Sequence, residues 1–150
     1  MPSITIRAAR SADAPVIVAN NLSMAWETEA LRLDEQVLTD GVTRVLEEDV
    51  GARYWLACDA DTVVGQLMIT TEWSDWRNAW VWWIQSVYTS PEGRGRGVYR
   101  ALYEHVRDHA QEQHVAGIRL YVDTRNTTAQ AVYTKLGMEG EHYRVFEAMF

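Results

Sequence analysis

Apolar and polar positions alternate along Ile4-Thr-Ile-Arg-Ala8, and this period of two predicts a first strand. Ser11-Ala-Asp-Ala-Pro15 follows with polar caps and a proline suited to a first helical turn, so a helix opens there. Val18, Leu22, Ala25 and Trp26 share its apolar face. Asp34 stands as the N-cap of a second helix, in which Val37, Leu38, Val42, Val45 and Leu46 recur at helical spacing. Gly51 ends it.

Arg53 to Ala57 reads as a strand, Asp59-Ala-Asp61 as a turn and Val63 to Thr70 as the returning strand of a hairpin. Trp73 to Asn78 reads as a polar-aromatic loop. Asn78 to Thr89 is apolar on both alternating faces, Trp80, Trp82 and Ile84 on one and Val81, Trp83 and Val87 on the other. That is the pattern of a central strand covered on both sides. A glycine-rich loop, Pro91 to Gly97, leads into an amphipathic helix marked by Val98, Leu102, Val106 and Ala110. Gly117 to Val122 reads as a strand. Asn126 to Leu136 reads as a short helix with Ala129, Val132, Tyr133 and Leu136 inward, broken by Gly137. The tail holds one or two strands, including Tyr143 to Met149. The order β-α-α-β-β-β-α-β-α-β predicts an α/β fold, a mixed sheet with helices on both faces. There is no linker, repeat or low-complexity tract, so residues 1–150 read as a single domain.

The strongest chemical signal is Ser86-Val-Tyr-Thr-Ser-Pro-Glu-Gly-Arg-Gly-Arg-Gly-Val-Tyr-Arg-Ala-Leu102. A buried strand runs into a glycine loop that opens a helix. Free N–H groups and the helix dipole at such a start attract anions. Glycines let phosphate oxygens approach the backbone closely. Arg94, Arg96 and Arg100 add positive charge, and the physical reading is a pyrophosphate cradle. No Lys-Ser/Thr follows as a nucleotide P-loop requires, and neither glycine frame completes Gly-x-Gly-x-x-Gly.

With Arg94-Gly-Arg-Gly97-Val-Tyr99, the chain resembles the GCN5-related N-acetyltransferases, the GNAT family, whose acyl-CoA loop reads Arg/Gln-x-x-Gly-x-Gly/Ala. Tyr99 replaces the small residue at the last position. A second family segment, Asn-x-x-Ala-x-x-x-Tyr-x-x-x-Gly, is filled by Asn126, Ala129, Tyr133 and Gly137. Asn126 is a natural helix N-cap, and Tyr133 lies seven residues on, two turns along the same face. The resemblance runs from Ile4 to Met149. It implies a mostly antiparallel sheet with a splayed central strand pair, and direct attack of an amine on the thioester of acetyl-CoA. By the same resemblance, the backbone of Val87, Tyr88 and Thr89 faces the cofactor. Arg94, Gly95, Arg96, Gly97, Val98 and Tyr99 hold its phosphates. Asn126 lies near its pantetheine arm, and Tyr133 is the general acid for the leaving thiolate. Some relatives place a base where Gln85 stands here. Glu27, Glu29, Glu72 and Asp75 are other carboxylates in segments that border a cleft, and a water chain is an equal alternative.

Other features narrow the partners. A single cysteine, Cys58, excludes an internal disulfide and a cysteine-based zinc cluster. His105 and His109 lie four apart on one helix without a third ligand, so no metal is expected. No Gly-x-Ser-x-Gly elbow supports serine hydrolysis. The formal charge of −7 speaks against nucleic acid and suits a cationic or neutral acceptor. No apolar run reaches a membrane span's length and no signal-peptide core stands at the start, which predicts a cytoplasmic chain. Five of the seven tryptophans fall between Trp73 and Trp83. Trp80, Trp82 and Trp83 read as packing. Trp73 and Trp76 read as a wall for an amine substrate or as an interface. The acceptor expected is a small-molecule or peptide amine, and the family resemblance allows a homodimer. The competing reading is a non-catalytic acyl-CoA sensor or a protein-interaction module.

Overall fold

The computed structural model describes residues 3–150. In chain order it contains β1 (Ile4–Ala8), α1 (Ala14–Glu29), α2 (Glu35–Glu47), β2 (Ala52–Asp59), β3 (Thr62–Ser74), β4 (Ala79–Thr89), α3 (Val98–Glu112), β5 (Gly117–Leu120) and α4 (Thr127–Lys135). A larger compact unit ends at Arg119, and a smaller one spans Leu120–Phe150.

The five strands form one sheet in sequence order, β1-β2-β3-β4-β5. The first three pairings are antiparallel; β2-β3 and β3-β4 are hairpins, whereas the chain reaches β2 from β1 through α1 and α2. β4 and β5 are joined through α3, the kind of crossover that parallel neighbours need. The Ala116 N–H donates to the Trp80 carbonyl at 2.8 Å, beside the start of β4. From there β5 stays next to β4 only by running in the same direction. Its four residues flank the first half of the eleven-residue β4 and leave the second half beyond its reach.

Alternation assigns the two faces. Tyr54, Leu56 and Cys58 of β2 pack with Ile17 and Val18 of α1 and Val42 of α2. Trp55, between them in sequence, turns to the other side, where its ring meets His105 and His109 of α3 at 4.9 and 5.3 Å. Those histidines are ring-packing residues. Leu102, Val106 and Ala110 bury the inner stripe of α3 as its spacing predicts. Cys58 is buried in the first core. Asp34 caps α2, accepting the Val37 N–H at 3.0 Å.

Several expectations are corrected. β3 runs on to Ser74, so Trp73 is a strand residue and only 75–78 form the turn. The reason is a cross-strand pair: Trp73 stands opposite Trp80, with rings edge to face at 5.1 Å. Trp80 is half exposed, not core packing. Trp26 and Val37 are also exposed. The buried stripe of α1 is Ile17, Val18, Asn21 and Ala25, and Trp26 lies beyond it with the Arg32 guanidinium 4.8 Å over its ring. α2 stops at Glu47, where Glu48 turns extended, before Gly51 is reached. β5 ends at Leu120, short of Val122. In the smaller unit Val132 is exposed, whereas Ala129, Tyr133 and Leu136 are half-buried. Tyr143 to Met149 forms no strand: the segment has no ladder partner among the described residues, and Phe146 and Met149 are exposed.

Candidate active site

The second half of β4 departs from regular pairing. Gln85 stands opposite Met68, and Tyr88 stands opposite Gln66. Three steps on β4 therefore match two on β3, which is a β-bulge with one extra residue. Ser86 takes φ +51°, a left-handed conformation that a non-glycine residue adopts only under constraint. Val87 completes the bulge. Tyr88 then points to the α1 side, where its hydroxyl donates to Glu27 at 2.6 Å.

The chain leaves β4 at Thr89 and passes through a short 3-10 turn, Pro91–Gly93. Gly95 and Gly97 follow with φ of +74° and +70°, and no heavy atom lies within 4 Å of where either Cβ would stand. This is an open loop in a conformation natural to glycine. Gly97 is the N-cap of the fifteen-residue α3. The first backbone bond of α3 runs from the Ala101 N–H to the Gly97 carbonyl at 3.0 Å. The N–H groups of Val98, Tyr99 and Arg100 therefore lie outside the helix's own ladder, at its positive end. Val98 is buried and anchors the first turn, and the Tyr99 ring stacks toward Tyr103 at 6.3 Å. The bulky residue at the loop's last position thus packs along its own helix.

Each loop arginine has a carboxylate partner. Arg94 pairs with Glu27 at 2.7 Å, and its Nε donates to the Thr89 carbonyl at 3.2 Å. Arg96 pairs with Asp59 at 3.0 Å, and Arg100 with Glu104 at 2.8 Å. The Tyr88 and Arg94 donors hold the Glu27 carboxyl below the usual range. Burial, then the Glu27 carboxylate, pushes the Tyr88 phenol up. Sequence reasoning singled out Glu27 only as a candidate base. Its place as partner to Tyr88 and Arg94 is a contact over more than sixty residues that no local pattern signals.

Of the other candidate bases, Glu29 is exposed at the last position of α1, whereas Glu72 and Asp75 are engaged. Glu72 accepts the Trp83 indole N–H at 2.6 Å and lies 3.6 Å from Arg119. Asp75 accepts the Trp76 N–H at 2.9 Å within its turn. Gln85 donates to the Thr70 hydroxyl at 2.8 Å. Trp76 is almost fully exposed at that turn. No group of three metal-ligating side chains comes together among the described residues.

In the smaller unit, the Asn126 side chain accepts the Ala129 N–H at 3.1 Å and caps α4. Gly137, with φ +89°, follows the end of that helix. Burial pushes the Tyr133 phenol above its ordinary value.

The mixed sheet with its helices is the fold of acetyltransferases. A family model described as acetyltransferase (GNAT) family matches residues 18–138, and the chain belongs to that family. A possible acetyltransferase from Clostridium difficile 630 is 38% identical, with a TM-score of 0.91 over 98% of this chain and 97% of that one. A predicted acetyltransferase with acetyl-CoA from Clostridium acetobutylicum shares the fold at 18% identity, with a TM-score of 0.76 over 97% and 96% of the two chains. A transcriptional regulator from Bacillus halodurans C-125 shares it at 21% identity, with a TM-score of 0.84 over 98% and 100%. No curated protein matches the chain. No described helix is long and apolar enough to cross a membrane.

Proposed function

We propose that the chain is a single-domain, cytoplasmic N-acetyltransferase. It moves an acetyl group from acetyl-CoA to a primary amine of a small molecule or peptide by direct attack. The observation that carries the reading is the loop between β4 and α3. Its two left-handed glycines, its open approach and the three N–H groups outside the α3 ladder fit a diphosphate. A side chain at Gly95 or Gly97 would project into that approach. A predicted acetyltransferase described with acetyl-CoA shares the overall fold.

Bound acetyl-CoA supplies an activated thioester. In this reading the backbone of Arg94 to Tyr99 and the side chains of Arg94 and Arg96 hold its phosphates. Asn126 orders the start of α4 beside the pantetheine arm. The backbone N–H groups of Val87, Tyr88 and Thr89 meet the acyl group, and one of them stabilises the developing oxyanion. Tyr133 protonates the leaving sulfur. Its assignment rests on the family pattern from Asn126 to Gly137 that it completes. Its phenol, protonated at neutral pH like any tyrosine and raised further by burial, is in the state a general acid needs. The amine attacks in its neutral form. Glu27, stabilised as a carboxylate by Tyr88 and Arg94, is a weak proton acceptor. Proton removal through water to solvent is therefore the favoured route.

The test is coenzyme A release from acetyl-CoA across a panel of polyamines, aminoglycosides, amino acids and peptides, read with a thiol-reactive dye. Release with one amine class is the expected result and names the acceptor. Tight acetyl-CoA binding without release from any acceptor would move the protein to the sensor reading.

A further inference from the structure

Gln66 is fully buried in β3, between Gly65 and Leu67, and takes no part in the proposed chemistry. A buried amide is costly unless its hydrogen bonds are made, so its partners explain its presence. Its Nε2 donates to the Ser86 carbonyl at 3.1 Å and to Asn21 Oδ1 at 3.4 Å. Its Oε1 accepts from Asn20 Nδ2 at 3.2 Å. Asn21, also buried, donates in turn to the Tyr54 hydroxyl at 3.3 Å. Tyr54 has the Ser86 side chain as a further partner. One buried side chain thus joins α1 and β3 to a single carbonyl of β4.

That carbonyl belongs to the residue with φ +51° in the bulge. A left-handed serine is strained, and such strain persists only where the surroundings over-determine it. The bulge takes Ser86 out of regular pairing, and the Gln66 amide gives its carbonyl a donor. The consequence reaches the next residue. The peptide between Ser86 and Val87 is planar and trans, so its C=O and N–H point in opposite directions. Holding the Ser86 oxygen against Gln66 therefore holds the Val87 N–H pointing away from it.

We propose that Gln66 is a positioning residue that sets the direction of the Val87 N–H, the donor that meets the acyl oxygen of the cofactor. The proposal rests on the acetyl-CoA reading above. It concerns only the acyl oxygen, not the phosphates, and this separates it from a general structural role.

The experiment compares the binding of acetyl-CoA and of S-ethyl-CoA, which keeps both carbons but lacks the oxygen, by calorimetry without acceptor. The wild-type chain prefers acetyl-CoA by about fivefold, as one hydrogen bond gives. Gln66→Leu brings that ratio to about one while S-ethyl-CoA affinity stays within about twofold, and it lowers kcat by about tenfold or more. Gln66→Glu keeps a donor only while protonated. Its acetyl preference and turnover fall as pH rises through the carboxyl's pKa, a limb absent from the wild-type profile. If Gln66→Leu does not fold, this pH limb alone decides the matter. Equal weakening of both ligands in Gln66→Leu, an unchanged ratio, a wild type with no acetyl preference, or a Gln66→Glu profile without the limb overturns the proposal. A wild type that binds neither ligand instead overturns the cofactor reading.

Discussion

Asp13 is nearly buried at the start of α1, and its carboxylate accepts three hydrogen bonds. Two come from the Arg7 guanidinium at 2.8 and 2.9 Å, and one from the Arg10 N–H at 2.7 Å. These donors hold its pKa below the ordinary carboxylate value. A depressed folded-state pKa gives stability that is fully present above the unfolded value, about 3.9, and lost as pH falls through the folded one. Asp13→Asn should therefore cost about 1–3 kcal/mol at neutral pH. It should also flatten the acid limb of a denaturation series run from pH 6 to pH 2. An acid limb as steep as wild type would remove Asp13 from the account. Tyr133 gives the matching prediction for chemistry. Tyr133→Phe keeps the ring and loses the proton, so kcat should fall by about a hundredfold with acetyl-CoA affinity within about twofold. Unchanged turnover would take Tyr133 out of the mechanism.

At the scale of elements, the helices and the glycine loop were legible because each carries a local signal. The Asp34 cap, the stripe from Val98 to Ala110 and the Asn126 cap all stand where spacing put them. What was not legible depends on a neighbour. The extension of β3 through Trp73 comes from its pairing with Trp80, and the polar residues around it hide a strand. The bulge at Ser86 is a register difference against β3, which nothing in Gln85-Ser86-Val87 announces. Gln66 reads as one more residue in a strand until the asparagines of α1 are seen beside it. The exposed tail is the reverse case, a pattern read as a strand where no described partner supplies a ladder. The loop offers two tests of element geometry. Gly97→Val puts a β-branched side chain at φ +70° and into the open approach. Acetyl-CoA affinity should drop by at least about tenfold, more than 1.4 kcal/mol, in a chain whose circular dichroism is unchanged. Retained affinity would count against the loop. Gly65→Ala acts elsewhere: its new Cβ would run into Val98 Cγ1, forcing the first turn of α3 away from β3. Such overpacking costs about 1–3 kcal/mol and should appear as a lower melting temperature.

For the molecule as a whole, a net charge of −7 opposes an anionic cofactor, yet the cofactor proposed for the loop is one. Distance decides which influence prevails. A unit charge 20 Å away contributes only about 0.2 kcal/mol in water before screening, and physiological salt removes most of that. A charge about 4 Å away contributes about 1 kcal/mol in the same medium. The carboxylates that matter are therefore those already on the loop arginines, not the sum over the surface. Asp59 on Arg96 is the best placed to test this, since both side chains are only about a third exposed or less. A phosphate approaching Arg96 must share that guanidinium with Asp59. Asp59→Asn should therefore tighten acetyl-CoA binding by about fivefold at low salt, with the gain shrinking as salt rises. Glu112, at the far end of α3 and roughly 20 Å along its axis from the loop, carries the same charge. Glu112→Gln changes the net charge by the same amount and should leave affinity unchanged. Equal tightening by both variants would mean that the overall field governs cofactor affinity. Tightening by Asp59→Asn alone would assign that control to the carboxylate beside Arg96.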